Sequence, residues 1–110
     1  MYLFNLDSNN FEKMIENNKM ILIGVYEKNC KISDLFKGVL QKLSNMLNNK
    51  NVIAIIESEE FNKKFPTNEK QIFPIILIYK NGINIKKMYG FYNYFTLEKE
   101  IKYINKLNKK

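Results

Sequence analysis

The stretch Met20-Ile21-Leu22-Ile23-Gly24-Val25-Tyr26-Glu27-Lys28-Asn29-Cys30-Lys31-Ile32-Ser33 changes character twice. Its first seven residues form a continuous apolar run, rich in β-branched side chains and too short for a typical buried helix, which predicts a central strand covered on both faces. Polar residues then lead to Cys30, the single cysteine of the chain. From Ser33 to Leu47 the apolar positions Leu35, Phe36, Val39, Leu40, Leu43, Met46 and Leu47 recur every three or four residues, which predicts the longest helix. A buried strand therefore feeds a long amphipathic helix through a short polar turn, and the thiol sits at that junction.

Working outward, residues 8 to 18 carry Phe11, Met14 and Ile15 at helical spacing behind the candidate caps Asp7 and Ser8, so a short helix precedes the strand. Downstream, Asn51-Val52-Ile53-Ala54-Ile55-Ile56-Glu57 predicts a second buried strand. Ser58 is then placed to cap a short helix holding Glu59, Glu60, Phe61 and Phe65, which Pro66 ends. Ile75–Tyr79 and Ile83–Tyr89 flank Lys80-Asn81-Gly82, and Asn-Gly between apolar runs is a strong hairpin signal. Thr96 is a candidate cap for a last helix with Leu97, Ile101, Ile104 and Leu107 inward, acidic Glu98 and Glu100 early and lysines late, as the helix dipole favours. Strands joined through helices run parallel and the closing hairpin runs antiparallel. The prediction is an α/β fold with a mixed central sheet of about four strands flanked by helices on both faces.

Composition bounds what this fold can do. A length of 110 residues suits one domain, residues 1–110, and the 45% hydrophobic and 14% aromatic content is that of a packed core. One cysteine makes no internal disulfide, and without histidine the usual structural zinc sites are excluded, so no metal is expected. The net charge of +7 raises nucleic acid as a partner. All 18 cationic residues are lysine, however, and arginine is the side chain that grips phosphate and guanine in a bidentate way, so nucleic acid is disfavoured. No apolar run approaches the ~18 residues of a membrane span, so no membrane partner is expected. The start Met1-Tyr2-Leu3-Phe4-Asn5-Leu6-Asp7 lacks a secretory pattern, which makes the cytoplasm the expected location. Nothing in the pattern sets an oligomeric state.

The order of elements, the placement of Cys30 after a central strand and at the head of the longest helix, and Ile72-Phe73-Pro74-Ile75 ahead of the hairpin together resemble the thioredoxin family. The spacing from Cys30 to Pro74, to the Lys80-Asn81-Gly82 turn and to Gly90 extends that resemblance over nearly the whole chain. It implies the thioredoxin fold, with Cys30 as the attacking sulfur and Phe73–Pro74 as the cis-proline segment beside it, where the backbone of Phe73 meets an extended substrate. Proline is also tolerated simply as the first residue of a strand. Tyr26 holds the place of the family's usual tryptophan, either lining the substrate groove or packing, and Asn29 also replaces a common tryptophan.

Departures from the family shape the expected chemistry. Ser33 stands where the second cysteine of a CxxC motif belongs, so a mixed disulfide on Cys30 must be released by an outside thiol such as glutathione. Gly24 stands where the family usually keeps a buried acid, and Gly38 where it often has a kinking proline. Thiolate, not thiol, is the nucleophile, and a helix N-terminus, with Lys28 and Lys31 nearby, favours it. Ser33 is expected to steady the sulfur by donating a hydrogen bond. The expected catalytic pair is thus Cys30 and Ser33, with Tyr26, Asn29, Phe73 and Pro74 binding substrate. The expected activity is monothiol thiol–disulfide exchange with protein or glutathione disulfides, with no resident cofactor. Two alternatives stand beside it. Cys30 is an inert small hydrophobe, or the chain is a non-catalytic binding module that uses the groove or the aromatic stretch Phe91-Tyr92-Asn93-Tyr94-Phe95.

Overall fold

The protein is described from a computed structural model, which covers residues 3–46 and 51–107. In chain order the elements are β1 (Phe4–Leu6), α1 (Phe11–Glu16), β2 (Met20–Tyr26), α2 (Lys31–Met46), β3 (Val52–Glu57), α3 (Ser58–Lys64), β4 (Ile75–Lys80), β5 (Ile83–Tyr89) and α4 (Tyr94–Leu107). They build one mixed sheet in the order β1-β3-β2-β4-β5. β1 and β2 both run parallel to β3, while β4 runs antiparallel to β2 and to β5. The sheet has five strands where the sequence suggests about four. β1 escapes sequence reading because three residues are too few to show a period, and it forms only because Phe4 and Leu6 pair with Ala54 and Ile56 on the edge of β3.

β2 explains its own composition. It lies between β3 and β4 with a helical layer on each face, so Met20 through Val25 are all buried and no alternation survives. On one face α2 and α4 bury Phe36, Leu40, Leu97 and Ile101 against Leu22 and Ile76. On the other, α1 and α3 bury Phe11, Ile15 and Phe61 against Ile21, Ile23 and Leu77. The hairpin turn takes positive φ at both Asn81 (52°) and Gly82 (82°), the pairing that a tight primed turn requires.

Three helix starts differ from expectation. Asp7 caps no helix; its carboxylate accepts the N–H groups of Asn9 and Asn10 at 2.8 and 3.0 Å, and this closed turn delays α1 to Phe11. Ser8 instead donates its N–H to Glu60. At α3 the cap is Glu57, which accepts the Glu59 N–H at 2.8 Å and the Ser58 hydroxyl at 3.0 Å. At α4 the cap is Asn93, which accepts the Thr96 N–H at 3.0 Å, so Thr96 lies inside the first turn. In α2 the inward stripe is also rotated: Leu35 is 66% exposed, while Ser33 and Ser44 are buried beside Phe36, Leu40 and Leu43. Leu47 lies outside the described residues, as do the side chains of Met46 and Leu107.

Candidate functional site

Strand register gathers the predicted site residues at one end of the sheet. β2 and β3 are parallel and finish together, with Tyr26 opposite Glu57. β4 enters antiparallel with Ile75 opposite Val25, which brings Pro74 level with Tyr26. β5 leaves at the same end, where Tyr89 faces Ile75 and the Gly90 N–H donates to the Pro74 carbonyl at 2.8 Å. The Phe73–Pro74 peptide bond is cis. This is the end at which the carboxyl termini of the parallel strands lie, the usual place for a site on an α/β sheet.

The turn from β2 to α2 presents the thiol. Asn29 is exposed with φ +57°, a left-handed conformation that asparagine tolerates better than most residues, so its role is to reverse the chain ahead of Cys30. The Asp34 N–H donates to the Cys30 carbonyl at 3.1 Å, which makes Cys30 the residue that opens α2. In that position a side-chain acceptor meets backbone N–H groups of the first turn, and the positive end of the helix dipole faces it. Cys30 is free and half-buried.

Ser33, one turn into α2, is 1% exposed, and its hydroxyl oxygen accepts the Glu27 N–H at 3.0 Å. Among the described residues the hydrogen bond found at this hydroxyl runs to the loop backbone and not to the Cys30 sulfur. Ser33 is buried beneath the loop, and this bond ties residues 27 to 33 into one turn.

Tyr26 packs half-buried against the α2/α4 core, with the Lys37 ammonium 4.1 Å from its ring centroid. Burial pushes its phenol above the usual range, the Glu57 carboxylate adds to the rise, and Lys28 opposes it. Lys28, expected as a charge near Cys30, pairs with Glu57 at 3.9 Å. Glu57 is the local group that sequence reading missed. Its signal is faint, a carboxylate closing an apolar strand immediately before a helix, and only the register opposite Tyr26 gives it significance. Phe73 packs its ring against the α1/α3 core, leaving its backbone beside Pro74. In the stretch after Gly90, Tyr92 joins the core while Phe91 and Phe95 stay exposed, the latter stacked on Tyr94 at 4.3 Å. Among the described residues, no three His, Cys, Asp or Glu side chains stand where they could share a metal ion, and no helix is long and apolar enough to cross a membrane.

A sequence profile described as Thioredoxin matches residues 3–103. The chain belongs to the thioredoxin family. Oxidised thioredoxin from Plasmodium falciparum superposes with a TM-score of 0.77 at 16% identity, over 93% of this chain and 97% of its own. Thioredoxin f2 from Chlamydomonas reinhardtii gives 0.73 at 19% identity, over 98% of both chains. A chain from a structure on the thiol resolving mechanism of yeast mitochondrial 1-Cys peroxiredoxin, via glutathione and thioredoxin systems, gives 0.74 at 24% identity over 91% of this chain and 93% of that one. A comparison with curated protein sequences finds no match.

Measured against the thioredoxin pattern, Gly24 is more than a missing acid. A Cβ placed on it would stand 2.5 Å from both Leu40 Cδ1 and Phe36 Cε2, two side chains with no exposed surface. The volume that a buried carboxylate would need is occupied by the packing of α2 on β2. This member of the family therefore has neither the second thiol nor the acid, and its packing leaves no space for that acid. Gly38, by contrast, meets nothing within 4 Å, so the helix keeps open surface where the family often has proline.

Proposed function

We propose that this protein is a monothiol member of the family that captures disulfides on Cys30. The Cys30 thiolate attacks one sulfur of a protein or glutathione disulfide, forming a mixed disulfide and expelling the other sulfur as a thiolate, which takes up a proton. A second thiolate, supplied by glutathione, then attacks the sulfur joined to Cys30 and returns the Cys30 thiolate. A reducing compartment such as the cytoplasm supplies that thiol, and no bound cofactor is needed. The observation that carries this reading is the position of Cys30, free and half-buried, at the mouth of α2 and at the sheet end where the cis Phe73–Pro74 segment lies. Pro74 and the Phe73 backbone would form the adjoining edge for an extended substrate, while Ser33 holds the turn and Asn29 reverses it.

The test is intact mass after incubation with glutathione disulfide, then with reduced glutathione, alongside alkylation rates of native and urea-unfolded protein at pH 6.5. A single adduct that reverses, together with faster alkylation of the native chain, is expected; Cys30→Ser abolishes both. A native thiol that forms no adduct and alkylates no faster than the unfolded chain would sink the capture reading. The filled space under Gly24 favours a second reading, a non-catalytic binding module. Partner binding that survives Cys30→Ser, with no adduct on the parent, would establish it.

A further inference from the structure

The sheet face under α1 and α3 is not fully covered. Those helices pack on β2 and β3 and reach β4, where the Phe11 ring meets Tyr79 edge-on at 6.2 Å, whereas β5 is exposed along nearly its whole length. Register puts Tyr89, Lys87 and Asn84 of β5 beside Ile75, Leu77 and Tyr79 of β4, so all six point to this face. The residues between α3 and β4 overhang the shelf and leave two hollows. One, of about 480 Å³, is lined by Phe65, Lys70, Gln71, Ile72, Lys87 and Tyr89. The other, of about 300 Å³, is lined by Phe61, Phe65, Gln71, Leu77, Tyr79 and Lys87. Because Phe65, Gln71 and Lys87 line both, they are two halves of one groove.

Three features define what would fit. The walls are aromatic: Phe61 and Phe65 lie 5.0 Å apart at 40°, and Phe65 and Tyr89 are 44% and 48% exposed despite their size. The charge is positive. Lys70 and Lys87 form no ion pair among the described residues, Lys87 lies 5.3 Å over the Tyr89 ring, and the carboxylate on this rim is Glu69 of the outer hollow. Finally, the Gln71 side-chain oxygen is buried between the hollows without a hydrogen-bond partner among the described residues. An orphaned buried acceptor is unfavourable, and a rotation of the Gln71 side chain toward an occupant's donor relieves it.

We propose that this groove, which Cys30 does not line, is a binding site for a small aromatic anion that carries an N–H donor. The ring lies among Phe65, Tyr79 and Tyr89, the anionic group meets Lys70 and Lys87, and the N–H donates to the Gln71 oxygen. The combined space suits a compact ligand.

Amide-shift NMR titration with indole-3-acetate tests this, using 1-naphthylacetate as a ligand without the N–H and tryptamine as one with reversed charge. Indole-3-acetate is expected to shift Leu77, Tyr79, Lys87 and Tyr89 saturably and to bind about fivefold tighter than 1-naphthylacetate, the weight of one added hydrogen bond. Tryptamine binds more weakly than either anion. Gln71→Leu, which removes the orphan and should fold at least as well, brings the two anions to equal affinity. The double variant Lys70→Met with Lys87→Met weakens both. Cys30→Ser leaves binding unchanged, so the outcome is independent of thiol capture. The proposal is overturned by the absence of saturable shifts in this groove, by tryptamine binding as well as indole-3-acetate, or by a preference that survives Gln71→Leu.

Discussion

Replacement of Gly24 by alanine is the sharpest test of how the family's buried acid was lost. The added methyl would stand 2.5 Å from Leu40 Cδ1 and from Phe36 Cε2, and 2.7 Å from Phe36 Cζ, whereas carbon atoms rest at about 3.5–4.0 Å. The ring and the leucine must each retreat by about 1 Å in a core packed to near-crystalline density. Overpacking of this kind costs about 1–3 kcal/mol. With an unfolding entropy of about 2.1 cal/mol/K per residue, 110 residues lose about 4–13 °C of Tm. Phe36→Leu removes the atoms that clash, leaves a void of its own, and so destabilises alone, by less than the ~3–5 kcal/mol of a truncation to alanine. In the double variant the methyl fills that void, and the two losses should cancel in part, with an interaction energy of about 1–2 kcal/mol. Urea unfolding followed by circular dichroism measures all four corners of the cycle. If the two effects add to within about 0.5 kcal/mol, or if Gly24→Ala is as stable as the parent, Phe36 does not occupy the vacated space and the reasoning fails.

The remaining predictions concern the surface. Glu60 is held down to about 2 from its ordinary 4.5 by hydrogen bonds from Lys63 and Ser8, so the stability it contributes is fully present above pH 4.5 and lost as pH falls toward 2. Glu60→Gln should lower the urea midpoint at pH 6 and flatten its decline across that window; an unchanged pH profile would count against the assignment. Gly38→Ala should stabilise by about 0.5–1 kcal/mol, or about 2–4 °C, because the new methyl meets nothing within 4 Å and glycine is a poor helix residue. A lower Tm would show that α2 needs the flexibility there.

The two central strands, the long helix and the hairpin were legible in the sequence because each announces itself locally: unbroken apolar runs for β2 and β3, a 3.6-residue period for α2, Asn81-Gly82 for the turn. What was not legible depended on partners distant in the chain. β1 exists by pairing with Ala54 and Ile56, and the caps at Glu57 and Asn93 won over Ser58 and Thr96 because capping is decided by which side chain faces the free N–H groups once the chain has turned. Leu35 joined the predicted stripe by spacing, yet the face of α2 is set by where the turn through Asn29 aims it, and that places Ser33 inside. At the candidate site the sequence located Cys30 and Pro74 but not their connection through register, nor Glu57, whose pairing with Lys28 and neighbouring Tyr26 has no sequence signature.

Ser33, Phe36 and Leu40 lie on one buried stripe of α2, and that stripe links the two departures from the family pattern. A hydroxyl oxygen at position 33 accepts a backbone N–H well, as it does from Glu27 at 3.0 Å, whereas a thiol is a weak acceptor of larger radius. One turn further on, Phe36 fills the volume above Gly24 that a carboxylate would need. Either change by itself would leave half of a resolving apparatus, an acid with no second thiol to serve or a second thiol with no acid to assist it. Together they make the inner face of α2 a surface that docks the helix on β2, with Cys30 half-buried at the helix's head. On the proposed capture reading, a mixed disulfide on Cys30 would have no resolving thiol one turn away at Ser33, so its lifetime would be set by the supply of an external thiol.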